Sequence, residues 1–174
     1  TVNNLTAIDQ STDTCTNNFC TLNPLSAGVG DVARIPTFAE GNLQFTAASA
    51  TFAQAISTFG VNQGKWYYEV KVISSTHLDK LRVGLWNIDK NVSSGEIQDV
   101  SDANSGVFYM NKDGGEMRLN ATSTTADYGT FAQNDIIGVA NNIDDGTISI
   151  YKNGSVIVNA YDYSGGIAAG TTLT

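Results

Sequence analysis

Glycoside hydrolysis needs two carboxylates that flank one bond, one as acid and one as nucleophile or base. In this chain of 174 residues the nearest such pair is Glu96 and Asp99, in GEIQDV. Successive side chains on a strand point to opposite faces, so two positions three apart diverge. The surrounding SSGEIQDVSD also reads as a loop. No hydrolase is expected from this pair. His77 is the only histidine. A nucleophilic triad needs a base oriented by a carboxylate and set beside a nucleophile. Asp79 stands close by in STHLDK, but no nucleophile elbow accompanies it. His77 is read as an exposed loop residue and, with Asp79, as a contact for a ligand rather than a base. The chain is expected to be no enzyme.

Metal chemistry fares no better. Asp144 and Asp145 in NNIDDGT suggest calcium, but a calcium site converges about six to eight oxygens. Two adjacent acids ahead of Gly146 are what a tight turn favours for backbone reasons. Cys15 and Cys20 close a short loop in CTNNFC. A disulfide there would stabilise by about 2 kcal/mol and imply an oxidising compartment. Two reduced thiols remain the open alternative. Zinc is not expected, because two cysteines and one distant histidine do not make a four-ligand site. Neither a metal nor a cofactor is expected. The sequons at Asn4, Asn91, Asn120 and Asn153 matter only in a secretory pathway.

Acids outnumber bases 17 to 9, for a net charge of -8. Such a surface repels a phosphate backbone, so nucleic-acid binding is not expected. No stretch approaches the roughly 18 apolar residues of a membrane span. No leader pattern opens the chain, which begins on Thr1, so a processed product or a segment of a longer protein is expected.

The elements that must position any site are strands. The chain is rich in Gly, Thr, Ser and Asn, and no segment sustains a helical period. Residues 1–40 read as an extended N-terminal segment with one short strand. NLQFTA (42–47) alternates, with Leu43 and Phe45 on one face, and FAQAIST (52–58) reads as the next strand. In GKWYYEVKV (64–72), Trp66, Tyr68, Val70 and Val72 share one face and Lys65, Tyr67, Glu69 and Lys71 the other. The first face is assigned to the core. LRVGLWN (81–87) reads as the partner strand, with Leu81, Val83 and Leu85 inward. GVFYM and EMRLN flank the turn NKDGG, and DIIGVANN, GTISIYK and SVIVNA follow, joined at Asp145-Gly146 and Asn153-Gly154. Many short strands with Gly-containing turns indicate an all-β antiparallel sandwich or barrel.

Two motifs narrow this. NDIIGVANNIDDGTISIYKNG (134–154) resembles the SPRY domain family, and GKWYYEVKV resembles the same family's earlier motif, in the right order and separation. LRVGLWN matches the strand that follows in the family. The resemblance covers about residues 20–165 and implies a concanavalin-like jelly roll of two antiparallel sheets. The lead-in, NNFCTLNPL then EGNLQFTA, resembles SPRY-type domains of bacteriophage virion proteins. It implies residues 1–20 as an extended segment and 21–174 as the sandwich.

The resemblance implies binding through loops, not catalysis. The expected role is a virion surface module, a tail fibre or capsid appendage that holds a host-surface glycan or protein. The alternative is a structural virion protein, for capsid decoration or tail assembly, whose contacts are other virion subunits or copies of itself. The implied location is the virion surface, outside the cell, with no membrane insertion. Loops 74–80, 87–105 and 120–133 are the candidate binding loops, with His77, Asp79, Trp86, Asn87, Asp89 and Tyr109 as candidate contacts. Trp86 and Tyr109 also suit ordinary core packing. The family continues past the equivalent of Thr174 with two more strands. Without them Val70 and Val83 are expected to lack full cover, unless the segment around Cys15–Leu25 takes their place.

Overall fold

The computed structural model describes residues 19–26, 36–47, 53–74, 76–90, 103–120, 122–124 and 126–174. They fall into two compact units, one from residues up to Gly60 with Thr174, the other from Val61–Lys90 and Gln98–Leu173.

In the first unit, β1 (Thr37–Ala39) and β2 (Gln44–Thr46) form a hairpin, with Phe38 and Phe45 edge to face at 6.2 Å. Leu43 lies in the turn, not the strand, and is exposed. FAQAIST is not a strand over its described residues. Only Ser57 bridges, to Leu22. The Ser57 hydroxyl donates to the Phe59 carbonyl at 2.6 Å, a local bond that competes with a ladder.

The second unit is the sandwich. One sheet runs β10-β9-β8-β3, from Ser155–Asp162, Thr147–Lys152, Ile136–Asn142 and Lys65–Lys71. The other runs β4-β5-β6-β7, from Arg82–Trp86, Gly106–Met110, Glu116–Leu119 and Thr122–Ser123. Every pairing is antiparallel. Between the sheets lie Ile137, Val139, Ile148, Ile150 and Val158 from the first and Val83, Leu85, Val107, Tyr109 and Met117 from the second. The all-β class and the antiparallel sandwich read from the sequence are therefore the observed ones.

Turn chemistry follows the sequence closely. Asn153 and Gly154 take φ 49° and 81°, the left-handed pair that a two-residue hairpin needs. The Asn153 amide also accepts the Ile136 N–H at 2.9 Å and donates to Asp135 at 2.8 Å. Asp144 and Asp145 sit in the β8–β9 turn. Asp144 accepts the Gly64 N–H at 2.8 Å and so fixes the start of β3. Among the described residues no cluster of three or more His, Cys, Asp or Glu is placed to hold a metal.

Two expectations are corrected. LRVGLWN is not the partner of GKWYYEVKV. β3 pairs with β8, whereas β4 opens the second sheet beside β5, because the 3-10 turn at Leu78–Lys80 carries the chain across the sandwich. The second concerns the expected lack of cover over Val83, since the residues after β10 return to the core. Tyr163, Ile167 and Leu173 are buried in the core. Leu173 exchanges two backbone bonds with Val61, each 2.8 Å, and Thr172 accepts the Ile88 N–H at 3.1 Å. Val83 is buried and Val70 half-buried. Three isolated anchors supply cover that a search for alternation passes over.

The strand of GKWYYEVKV keeps its assigned faces but not its assigned burial. Trp66, Tyr68 and Val70 pair with Asn141, Val139 and Ile137, and directly opposed residues share a face. They therefore point inward. Yet Trp66 is 47% exposed and Tyr68 37%, because β3 is the edge of its sheet. Only the tip of Tyr68 is enclosed. Its hydroxyl donates to the Gly84 carbonyl of β4 at 2.8 Å, and burial pushes its phenol well above the usual value.

Candidate functional site

The six candidate contacts do not form one site. β3 ends and β4 begins at one end of the sandwich, which also carries the β5–β6 turn and the loop before β8. His77 and Asp79 lie there. Trp86, the last residue of β4, and Asn87 and Asp89 after it lie at the opposite end. Tyr109 is inside β5.

Three of the six are buried, which corrects their placing on a binding surface. Trp86 is closed from solvent and stacks at a tilt against Phe108, with centroids 6.1 Å apart. Tyr109 is in the core, 5.1 Å edge to face from Phe131, and its hydroxyl donates to the Gly129 carbonyl. Burial, then the nearby Asp127 charge, pushes its phenol up to about 12. The buried Asn87 amide donates to the Asn104 carbonyl at 2.7 Å and accepts the Asp89 N–H at 3.0 Å, so it shapes a turn. Asp89, His77 and Asp79 are exposed. Cys20 is exposed, while Cys15, Glu96 and Asp99 lie outside the described residues, so the disulfide and the carboxylate pair lie outside them too.

The end that carries His77 is built around Asn111, which the sequence presents only as a residue ahead of a Lys-Asp-Gly turn. Asn111 is 5% exposed. Its amide donates to the Leu78 carbonyl at 3.0 Å and the Phe131 carbonyl at 3.1 Å, and its oxygen accepts the Phe131 N–H at 2.5 Å. Its backbone N–H donates to Leu81 at 2.9 Å. One side chain thus ties the β3–β4 connection to the loop before β8. Gln133 adds a bond to the Ile73 carbonyl at 2.8 Å. The rim left to solvent carries Ile73, His77, Asp79, Lys112 and Asp113. His77 holds φ 57°, a left-handed conformation that is uncommon for a residue with a side chain.

The same end holds an acid-sensitive clasp. The Asp135 carboxylate accepts the Ala132 N–H at 2.7 Å, takes a bond from Asn153, and lies 3.1 Å from the Lys152 ammonium. These bonds hold its pKa below the usual value of about 3.8, the Ala132 N–H contributing most. A depressed folded-state pKa adds stability above the unfolded value, and this is lost as pH falls through the folded one. Thermal unfolding followed from pH 7 into acid, an interval of about 4 units, is expected to show a smaller loss for Asp135→Asn than for the natural chain. Parallel curves would remove Asp135 from this role.

The opposite end uses asparagine in the same way. The Asn120 oxygen accepts from the Ser105 N–H at 2.8 Å and the Ser105 hydroxyl at 3.0 Å, while its amide donates to the Gly166 carbonyl at 3.1 Å. Asn104 accepts the Ala168 N–H at 2.8 Å and the Thr171 hydroxyl at 3.1 Å. Both take positive φ, 54° and 64°. The sequence marks Asn120 only as a sequon and does not mark Asn104, since nothing in an isolated Asn distinguishes a clamp from a turn.

Comparison with known proteins bears on the fold. The model of the SPRY domain family matches residues 65–164. The crystal structure of the SPRY domain of human HERC1 is similar, with a TM-score of 0.60 and 17% sequence identity, over 87% of this chain and 85% of that one. No curated protein sequence matched. The neighbour's identity level speaks to the fold alone.

Proposed function

We propose, from the premise that this chain belongs to the SPRY domain family, that it is a non-catalytic binding module of a virion surface which takes a host-surface glycan or protein through its loops. The observation that carries this reading is the Asn111 clamp. It holds two loops rigid from below and leaves His77 and Asp79 exposed above. Binding loops on a rigid scaffold lose little entropy when they engage a partner. The lead-in NNFCTLNPL and EGNLQFTA supports the virion setting by its resemblance to phage proteins.

The test is binding of the purified chain to a glycan array and to intact host cells. The double variant His77→Ala/Asp79→Ala is expected to weaken binding by roughly tenfold or more, as loss of central contacts does, with an unchanged thermal midpoint. Undiminished binding by this variant would refute the loop assignment. A second reading, a structural virion component that contacts its own copies or neighbouring subunits, is favoured by one observation, the open edge of β3.

A further inference from the structure

β3 is a seven-residue edge strand, and its ladder with β8 settles which backbone groups are used. The ladder is bracketed by two bonds, Ile143 N–H to Gly64 and Val72 N–H to Asp135, at 3.0 and 2.9 Å. In an antiparallel pair, alternate residues exchange both bonds with the partner. Trp66, Tyr68 and Val70 therefore bond to β8. The N–H and C=O groups of Lys65, Tyr67, Glu69 and Lys71 point away from it, along an edge that no other strand pairs among the described residues. An edge strand of this length is a template for another strand. The inner face tells the same story by a separate route. Trp66 and Tyr68 point into the sandwich and still keep large exposed areas at this edge.

We propose that the occupant is β3 of a second copy of this chain, paired antiparallel about a two-fold axis at Tyr67. The side chains choose this register. Tyr67 meets Tyr67 of the second copy. Lys65 faces Glu69 of the second copy, and Glu69 faces its Lys65, so both outer-face pairs are of opposite charge. Trp66 faces Tyr68 of the second copy on the inner face, and the reverse, which gives two aromatic cross-strand pairs over the open part of the core. Moving the axis by one residue toward Tyr68 would set Lys65 against Lys71, a like-charge pair. The groups needed are free for it. The Tyr67 hydroxyl donates to one Glu69 oxygen at 2.7 Å, which leaves the other oxygen for a lysine. Gly138 leaves room for the Tyr67 ring to lie against the sheet, where a Cβ would come within 2.5 Å of the hydroxyl. Tyr151 supports that ring edge to face at 6.4 Å. Pairing the edges joins two four-stranded sheets into one. It is independent of the loop ligand, since β3 is not part of the loop rim.

The experiment is sedimentation of the chain across a concentration series, with charge variants. The natural chain is expected to form a dimer. Lys65→Glu and Glu69→Lys are each expected to weaken it by roughly tenfold or more, since each sets like charges opposite each other. Combining both substitutions in one chain restores the opposite-charge pairs and is expected to restore the dimer. Tyr67→Cys, with Cys15 and Cys20 replaced by serine, is expected to cross-link under oxidation. Opposed residues of a hydrogen-bonded pair lie about 5.5 Å apart at Cα, within disulfide reach. A monomer at every concentration, or a dimer indifferent to both charge reversals, overturns the proposal. So does a natural dimer that the combined variant fails to regain. A monomer whose β3 amides are nonetheless protected from exchange would assign the edge to a strand of other origin, which also overturns it.

Discussion

Ile150→Ala is expected to lower the unfolding free energy by about 2–5 kcal/mol, and Trp66→Ala by only about 1–2 kcal/mol. The two residues point to the same side of one sheet. Ile150 lies in β9, flanked by Val139 of β8 and Val158 of β10, and is 0% exposed. Removing its side chain leaves a cavity that strands on both sides prevent from collapsing. Trp66 has β8 on one side and, among the described residues, no strand on the other, so truncation removes area already half in water. Its indole N–H bond to the Gln63 carbonyl, at 2.7 Å, is exposed and adds little. Chemical denaturation of dilute protein, below any dimerisation, decides the comparison. A loss for Trp66→Ala equal to that for Ile150→Ala would mean that the edge of β3 is covered.

That contrast shows what the residue pattern conveys. The facing of Trp66 and Tyr67 is a local property of a pleated strand and reads directly from alternation. So do the turns at Asp113-Gly114 and Asn153-Gly154, where a left-handed backbone selects the residues. Whether an inward face is covered depends on strand order, which is set by contacts distant in sequence. The pairing of β3 with β8 spans some seventy residues of chain, and nothing within GKWYYEVKV encodes it. Aromatic richness at Trp66 and Tyr68 is compatible with a core and with an interface, and only the order β10-β9-β8-β3 separates the two. Leu173 is a stronger case. It is a single buried residue among Gly and Thr, bonded to Val61 on one side and bridging Asn87 on the other, without any period for a sequence reading to detect.

The site was legible to a similar depth. The sequence places His77 and Asp79 in a loop, and they are exposed at one. Trp86, Asn87 and Tyr109 carry aromatic and amide side chains, which suit sugar hydroxyls. The same chemistry suits buried hydrogen bonding, and burial is decided by the second sheet. The residue that organises the end of the sandwich, Asn111, reads locally as a turn former and nothing more.

Asn111→Ala is expected to cost about 2–4 kcal/mol, because truncation strands the Phe131 N–H and carbonyl at a buried site and leaves the Leu78 carbonyl with the Leu81 N–H alone. Asn111→Asp separates the contributions. A carboxylate still accepts the Phe131 N–H but offers no donor to either carbonyl, and it brings a buried charge near two carbonyl dipoles. Asn111→Ala is expected to lose amide-exchange protection at Phe131, where the N–H itself is released, and both variants are expected to loosen the turn at Leu78–Lys80. The strands at the centre of the first sheet, β8 and β9, lie outside this network and are expected to keep their protection until global unfolding. If the loops were merely draped on the scaffold, Phe131 would exchange no faster in Asn111→Ala and the thermal midpoint would hold. The functional consequence follows from the same bonds. On the proposed function, His77 and Asp79 are placed by a loop that the buried Asn111 amide tethers, so a loosened loop must be ordered again each time a ligand is held. Asn111→Ala is therefore expected to weaken binding through a faster off-rate, although Asn111 itself is buried beneath the rim.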